Sequence, residues 1–151
     1  MRKITHEIFA AGMALLLINP DITYILPTIL ASVLGGVFPD IDVKFKHRKL
    51  MHNVFSLTII GLGPLYITMF IITRPIPILT LLLQAFFIGY FTHMLLDLFT
   101  KRGIALMWPL TSKTFKIINR RYDDFFINTL FSSLGLGALV LYIIRITYSI
   151  V

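Results

Sequence analysis

The chain has 151 residues, of which 57% are hydrophobic and only 14% are charged, and its mean hydropathy is +0.86. Since roughly half of the residues of a soluble domain are apolar, this composition favours an integral membrane protein. The sequence contains no cysteine, which excludes disulfides, zinc-thiolate sites, iron-sulfur clusters and cysteine nucleophiles. Any metal would therefore be bound by His, Asp or Glu. The net charge of +7 points to an anionic partner, either nucleic acid or lipid.

Charged residues and prolines divide the chain into five apolar stretches. They run over residues 8–18, 22–38, 54–73, 76–99 and 125–144. The last three are long enough for helices that cross about 30 Å of hydrocarbon at about 1.5 Å per residue. The first stretch extends back past Thr5, which places His6 and Glu7 in its opening turn. Because a signal peptide would have a small-x-small cleavage site after Leu17 and the sequence has none, we interpret this stretch as a retained helix. We predict an all-α, polytopic membrane helix bundle of about five transmembrane helices, forming a single domain over residues 1–151.

The basic residues lie mainly on one side of the predicted bundle. Of the 14, two precede the first stretch, four lie between the second and third, and six lie between the fourth and fifth; only Arg74 and Arg145 lie on the other side. Because cytoplasmic loops retain Lys and Arg, we predict a cytoplasmic amino terminus and an external carboxyl terminus in the cell membrane. The same distribution explains the net charge by topology, so it predicts membrane lipids and no nucleic acid as partners. It does not indicate an oligomeric state.

Most of the chain's histidines and acids occur where these helices should end on the cytoplasmic side. Such nitrogen and oxygen atoms are ligands for zinc and related divalent ions. Because segments distant in sequence bring them to one membrane face, we predict a shared metal site. Its candidate ligands are His6, Asp40, Asp42, His47, His52, His93 and Asp97.

His93 and Asp97 are four residues apart on an apolar helix, so their side chains should project from the same face. An ionised Asp within a membrane helix costs about 2.5 to 3.5 kcal/mol on insertion scales and is normally paired or functional. A hydrogen-bonded pair that only holds helices together is the alternative to metal binding. A separation of more than about 8 Å between His93 and both Asp40 and His52 would exclude a shared site.

The loop after the second stretch contributes further candidates. Asp40 and Asp42 lie on alternate residues, so both would point toward one centre if the backbone were extended there. Alternatively, Asp40 caps a helix and Asp42 is a solvated partner of Lys44. His52 is well placed to complete the site, whereas His47 is as consistent with a solvated basic loop.

Several blocks of residues, taken together with their internal spacing, resemble the YdjM family. The blocks are Thr5-His6, Phe38-Pro39-Asp40-Ile41-Asp42, His47-Arg48 followed by His52, Gly89-Tyr90 with His93, Asp97, Thr100 and Gly103, and Leu106-Met107-Trp108-Pro109. They span roughly residues 5–110, which leaves out the last helix. The resemblance implies an inner-membrane metal-dependent hydrolase. The family motif has a His after the second Asp and then reads His-Arg-Gly-x-Thr-His-Ser; the chain has Val43, Lys49, Met51 and Asn53 at the differing positions.

More distantly, this motif is similar to that of all-helical zinc phosphoesterases of the bacterial phospholipase C and single-strand nuclease type. That resemblance implies that His6 and Asp97 hold one metal ion and that Asp97 bridges to a second. The other ligands of the second ion would be His52, His93 and either Asp40 or Asp42. The carboxyl-terminal ligands of those enzymes have no counterpart, since no His follows His93, so one or two zinc ions are expected.

The leading functional interpretation is a membrane hydrolase in which water activated by the metal attacks a phosphoester of a lipid-like or amphiphilic substrate at the cytoplasmic face. Asp42 or Glu7 would act as the base. Arg48 could bind a phosphate oxygen, although membrane topology alone explains a basic residue there. Two other interpretations are a non-catalytic, metal-stabilised scaffold and a metal-ion transporter. A transporter should have polar residues across the bilayer, whereas here they stop on one side.

Overall fold

The computed structural model describes residues 1–45, 49–72 and 76–149. These residues form five helices and no β-strand beyond an isolated bridge between Ile104 and Phe115. The helices are α1 (Lys3–Ile18), α2 (Ile25–Val37), α3 (Val54–Ile71), α4 (Pro77–Asp97) and α5 (Phe125–Ser149). Short 3₁₀ segments precede and follow α2 at Ile22–Tyr24 and Phe38–Phe45. The predicted all-α class is confirmed.

Four helical segments within the described residues are long and apolar enough to span a membrane. They are Ile22–Asp42, Val54–Ile71, Pro77–Asp97 and Phe125–Tyr148. The remaining helix, α1, has 16 residues, or about 24 Å at 1.5 Å per residue, less than the hydrocarbon core. It packs against α2, α4 and α5, and its Ala10, Ala14 and Leu15 are completely buried. All five expected helices are therefore present, and four of them have spanning length.

Glycines allow the helices to approach closely. A Cβ atom at Gly89 of α4 would overlap the carbonyl oxygen of Ser32 in α2. A Cβ atom at Gly12 of α1 would likewise overlap the carbonyl oxygen of Gly135 in α5. Small residues at such crossings let membrane helices pack backbone against backbone. This packing holds α4 against α2 and α1 against α5.

The position at which α3 begins is set by Asn53, the residue after His52. Its Oδ1 accepts a hydrogen bond from the Ser56 N–H at 2.8 Å. Its Nδ2 donates to the carbonyl oxygens of Lys49 and Leu50, both at 2.7 Å. Asn is a favoured helix N-cap because its side chain satisfies a backbone donor that has no partner within the helix. The cap therefore fixes the backbone immediately beside His52.

Candidate metal centre

Candidate ligands from four segments of the chain meet at one end of the bundle. They are His6 in α1, Asp40 in the 3₁₀ segment after α2, His52 before α3, and His93 and Asp97 in α4. The three histidines and Asp97 are at most 3% exposed. The side chain of Asp40 is 36% exposed. The centre is thus buried in the bundle, with Asp40 as its most accessible member.

One group of ligand atoms comes from Asp40, His52 and His93. The Nε2 atoms of His52 and His93 lie 3.3 Å apart. Asp40 Oδ1 lies 3.8 Å from His52 Nε2 and 3.7 Å from His93 Nε2. A single cation could contact all three residues, because these atoms lie within 4.8 Å of one another. His93 therefore lies much closer to Asp40 and His52 than the separation of about 8 Å that would have excluded a shared site.

Asp97 connects this group to a second one formed with His6 and His93. Its Oδ1 lies 3.4 Å from His6 Nε2, and its Oδ2 lies 3.7 Å from the Nε2 atoms of both His52 and His93. The rings of His6 and His93 are stacked, with centroids 4.1 Å apart. The amino group of Met1 also lies 2.9 Å from Asp97 Oδ1. The two oxygens of Asp97 therefore face different histidines, as a bridging carboxylate requires.

A backbone carbonyl group fixes the orientation of His93. Its Nδ1 lies 2.6 Å from the carbonyl oxygen of Gly36 in α2. Because a carbonyl oxygen can only accept, Nδ1 carries the proton and donates it in this hydrogen bond. In the neutral ring, Nε2 then presents its lone pair to the other ligands. This is the tautomer that a metal-binding histidine needs, held by an outer partner.

Asp42 lies beside the Nδ1 atom of His52, as the Gly36 carbonyl oxygen lies beside Nδ1 of His93. It is 2% exposed, its Oδ1 lies 3.3 Å from His52 Nδ1, and its Oδ2 accepts a hydrogen bond from the Met51 N–H at 2.9 Å. The extended backbone under which Asp40 and Asp42 would point toward one centre is not present, and the two carboxylates lie near different nitrogens of His52. Phe38–Phe45 is a 3₁₀ helix and not extended, so alternate residues point in different directions. Burial also excludes the interpretation of Asp42 as a solvated residue.

The nitrogen and oxygen atoms of these candidate ligands fit a divalent transition metal. Nδ1 of His93 donates to Gly36, which leaves the lone pair of its Nε2 available, and the Nε2 atoms of His52 and His93 both lie 3.7 Å from Asp97 Oδ2. Atoms that all carry partial negative charge repel unless a cation or proton lies among them. Imidazole nitrogen with carboxylate oxygen is a common ligand set for zinc. The described residues could therefore hold such an ion.

Asn128 in α5 was not predicted as a site residue, yet it positions the start of α1. Its Oδ1 accepts hydrogen bonds from Thr5 Oγ1 at 2.8 Å and from the Arg2 N–H at 3.0 Å. Its Nδ2 donates to the carbonyl oxygens of Tyr122 at 2.9 Å and Asp124 at 2.7 Å. The amide thus ties the first turn of α1 to the start of α5. The only signal in the sequence is one amide residue near the start of an apolar stretch.

The predicted roles of three site residues stay predictions. His47 and Arg48 lie outside the described residues, so their proposed roles stay predictions. Glu7 follows His6 in α1, which turns its side chain by about 100° around the helix. It is partly exposed, and no hydrogen bond or ion pair among residues 1–45, 49–72 and 76–149 joins it to the ligands. Its role as a base also stays a prediction.

The family model of the YdjM inner membrane protein matches residues 1–151, which is the whole chain. The chain therefore belongs to the YdjM inner membrane protein family. The resemblance seen in residues 5–110 is confirmed, and the match extends through α5. No curated protein and no solved structure matches the chain significantly.

Two of the differences from the family motif have a structural role in this chain. Met51 uses its backbone, donating its N–H to Asp42 and accepting a hydrogen bond from the Tyr90 hydroxyl at 2.7 Å. Asn53 caps α3 through its side chain. Both residues therefore support the segment on either side of His52.

Proposed function

We propose that the protein is an integral membrane, metal-dependent hydrolase that cleaves a phosphoester of a lipid or lipid-like amphiphile at the cytoplasmic face of the membrane. The observation that carries this proposal is the convergence of the Nε2 atoms of His52 and His93 with carboxylate oxygens of Asp40 and Asp97, at separations of 3.3 to 3.8 Å. The ion is zinc or a similar divalent metal, in one or two copies.

The ligand residues have distinct tasks in this proposal. His6, Asp40, His52, His93 and Asp97 hold the metal. A bound divalent ion would lower the pKa of coordinated water to about 7 and stabilise charge that develops on a phosphoryl oxygen. Burial of the histidines restricts access of bulk water, and the partial exposure of Asp40 leaves an approach for the substrate.

Asp42 fits a positioning role better than that of a base. One of its oxygens accepts the Met51 N–H, and the other lies 3.3 Å from His52 Nδ1. By facing the Nδ1 atom of His52, its carboxylate favours the tautomer whose Nε2 is free of a proton. Glu7 remains a candidate base, and Arg48 remains a candidate for binding the phosphate group.

The location of the ligands supports a substrate that is itself a membrane component. α4 has spanning length and ends at Asp97, so the centre lies at the end of a membrane helix, near the headgroup layer. A lipid could reach it by lateral diffusion. Twelve of the 14 basic residues lie on the same side of the predicted bundle as the ligands, which supports the cytoplasmic face as the location of the centre.

The test is an assay of detergent-purified protein, loaded with zinc or manganese, on a panel of phospholipids and polyprenyl phosphates. Release of phosphate or headgroup is measured for the wild type, Asp97→Ala and His93→Ala, with Asp123→Ala as a control, since Asp123 contacts Arg121 on the protein surface. We expect turnover by the wild type and the control alone. Turnover that survives both ligand substitutions would come from a contaminant and would contradict the proposal.

A non-catalytic, metal-stabilised scaffold is the second candidate. It is favoured by the burial of His6, His52, His93 and Asp97, because a structural metal site is closed whereas a catalytic site keeps an open position. Metal that raises thermal stability, combined with no turnover on any substrate in the panel, would support this candidate. A metal-ion transporter is less well supported, because the candidate ligands lie at one end of the bundle.

A further inference from the structure

The connection between α4 and α5, residues 98–124, is a folded hairpin. Ile104 and Phe115 exchange two backbone hydrogen bonds, at 3.0 Å and 2.8 Å. The N–H of Ile117 donates to the carbonyl oxygen of Leu98 at 2.8 Å. These contacts hold the two arms of the hairpin together and attach it to the end of α4.

The first arm is also fixed to the helix bundle. Ile104 and Ala105 are buried, and Ile104 belongs to a hydrophobic cluster with Tyr90 and Met94 of α4. The carbonyl oxygen of Leu106 accepts a hydrogen bond from the Val54 N–H, at the start of α3, at 2.9 Å. The hairpin therefore has a defined orientation relative to the membrane helices.

The rest of the hairpin exposes large apolar side chains together with basic ones. The exposed apolar residues are Met107, Leu110, Phe115, Ile117 and Tyr122. The exposed basic residues are Lys101, Arg102, Lys113, Lys116, Arg120 and Arg121. The side chain of Leu110 is 76% exposed, which is unfavourable in water. Asp123 and Asp124 at the end of the hairpin pair with Arg121 and Arg120, and no acidic residue occurs between Asp97 and Asp123 to offset the other four basic residues.

We infer that this hairpin lies in the headgroup layer of the membrane and binds anionic lipids. Segments that combine exposed apolar and basic side chains place the former at the acyl boundary and the latter among lipid phosphates. Both ends of the hairpin continue into helices of spanning length, α4 and α5, which keep it at the bilayer surface. The charge complementarity selects anionic over zwitterionic headgroups. The inference does not depend on the proposed hydrolysis.

The position of the hairpin places the bound lipids beside the metal centre. The hairpin begins directly after Asp97, and Thr100 near its start donates a hydrogen bond from Oγ1 to the Asp97 carbonyl oxygen at 2.8 Å. Anionic headgroups on the hairpin would therefore gather at the same end of the bundle as His93 and Asp97.

Trp108 is the only tryptophan in the chain and lies within the hairpin. Its fluorescence therefore reports on this segment in the full-length protein without any substitution. The protein is reconstituted in vesicles of phosphatidylcholine or of phosphatidylcholine mixed with phosphatidylglycerol. Quenching is measured with lipids brominated near the headgroup and with acrylamide in the water. We expect strong quenching by the brominated lipids and weak quenching by acrylamide, with brominated phosphatidylglycerol the more effective lipid.

The contribution of charge is tested with a double substitution, Lys113→Gln with Lys116→Gln. Ser112→Gln with Thr114→Gln is the matched control in the same exposed stretch. Each basic side chain near an anionic surface changes lipid binding by about fivefold, so the first variant should lose most of the preference for brominated phosphatidylglycerol. The control should retain it. Thermal denaturation checks that both variants are folded.

Two results would overturn the inference. Strong acrylamide quenching of Trp108 without quenching by brominated lipids would place the hairpin in water, as expected if it binds a soluble partner. An equal response to brominated phosphatidylcholine and phosphatidylglycerol in the wild type would show that the basic residues do not select anionic lipids. Neither result would bear on whether the metal centre hydrolyses a substrate.

Discussion

Asp42→Asn should weaken metal binding although Asp42 lies behind the ligands. The Asp42 carboxylate contacts His52 Nδ1 at 3.3 Å and accepts the Met51 N–H at 2.9 Å. In the variant, the amide oxygen is needed for the Met51 N–H, so the amide NH₂ group faces His52 Nδ1. That nitrogen must then accept, which moves the ring proton to Nε2 and blocks the atom that faces the metal site.

The opposite orientation of the amide is also unfavourable. It would keep the proton on His52 Nδ1 but would set the NH₂ group against the Met51 N–H, and an unsatisfied buried donor costs about 1 to 3 kcal/mol. Either way, we expect zinc affinity to fall by about 10- to 100-fold, the usual effect of removing an outer partner of a ligand. This corresponds to about 1.4 to 2.7 kcal/mol.

Zinc affinity is measured by competition with a chromophoric chelator in detergent, and thermal unfolding without metal verifies that the variant is folded. Asp123→Asn is the control, because Asp123 contacts Arg121 at the surface and should leave affinity unchanged. An Asp42→Asn affinity within about twofold of the wild type would refute the positioning role, since outer partners normally contribute at least about tenfold.

Three further predictions follow from the packing and the topology. Gly89→Ala should lower the free energy of unfolding by about 1 to 3 kcal/mol, because the added Cβ would overlap α2. Gly137→Ala should raise it by up to about 1 kcal/mol, because no atom lies within 4 Å of the added Cβ. Denaturant titration measures both changes. Asn128→Ala should cost about 2 to 4 kcal/mol in the same titration, since its four hydrogen bonds contribute about 0.6 to 1 kcal/mol each. Cysteines introduced at Asn19 and Thr111 of this cysteine-free chain should be labelled by an impermeant maleimide from outside and only after cell lysis, respectively.

The controls for these predictions separate the named contacts from general damage. Asn119→Ala removes an exposed amide from the hairpin and should leave stability unchanged. Equal losses for Gly89→Ala and Gly137→Ala would contradict the role of close packing between α2 and α4. Labelling at Thr111 in intact cells would reverse the predicted orientation while leaving the convergence of the ligands intact.

The helices and the convergence of the ligands could be predicted because each depends on local features of the sequence. A continuous apolar run can satisfy its backbone within a bilayer only as a helix, so the runs themselves located the helices. His6, His52 and Asp97 each lie close to a boundary of such a run. An alternating path through the membrane then brings all three boundaries to the same face.

The finer details could not be predicted because they depend on local backbone geometry and tertiary contacts. Whether Asp40 and Asp42 share a direction depends on whether the segment is extended or 3₁₀, and Pro39 is compatible with both. The role of Asn128 depends on how α5 packs against α1, which no periodicity in either helix indicates. The hairpin between α4 and α5 contains one isolated bridge, so it leaves no repeating pattern in the sequence.

The most direct test of the metal centre is elemental analysis of the protein purified from zinc-supplemented cells without chelators. We predict about one or two transition-metal ions per chain in the wild type, almost none in Asp97→Ala, and the wild-type amount in Asp123→Ala. A wild-type protein that contains no transition metal and takes up none from added zinc would contradict the central claim, as would an Asp97→Ala variant that keeps the full metal content.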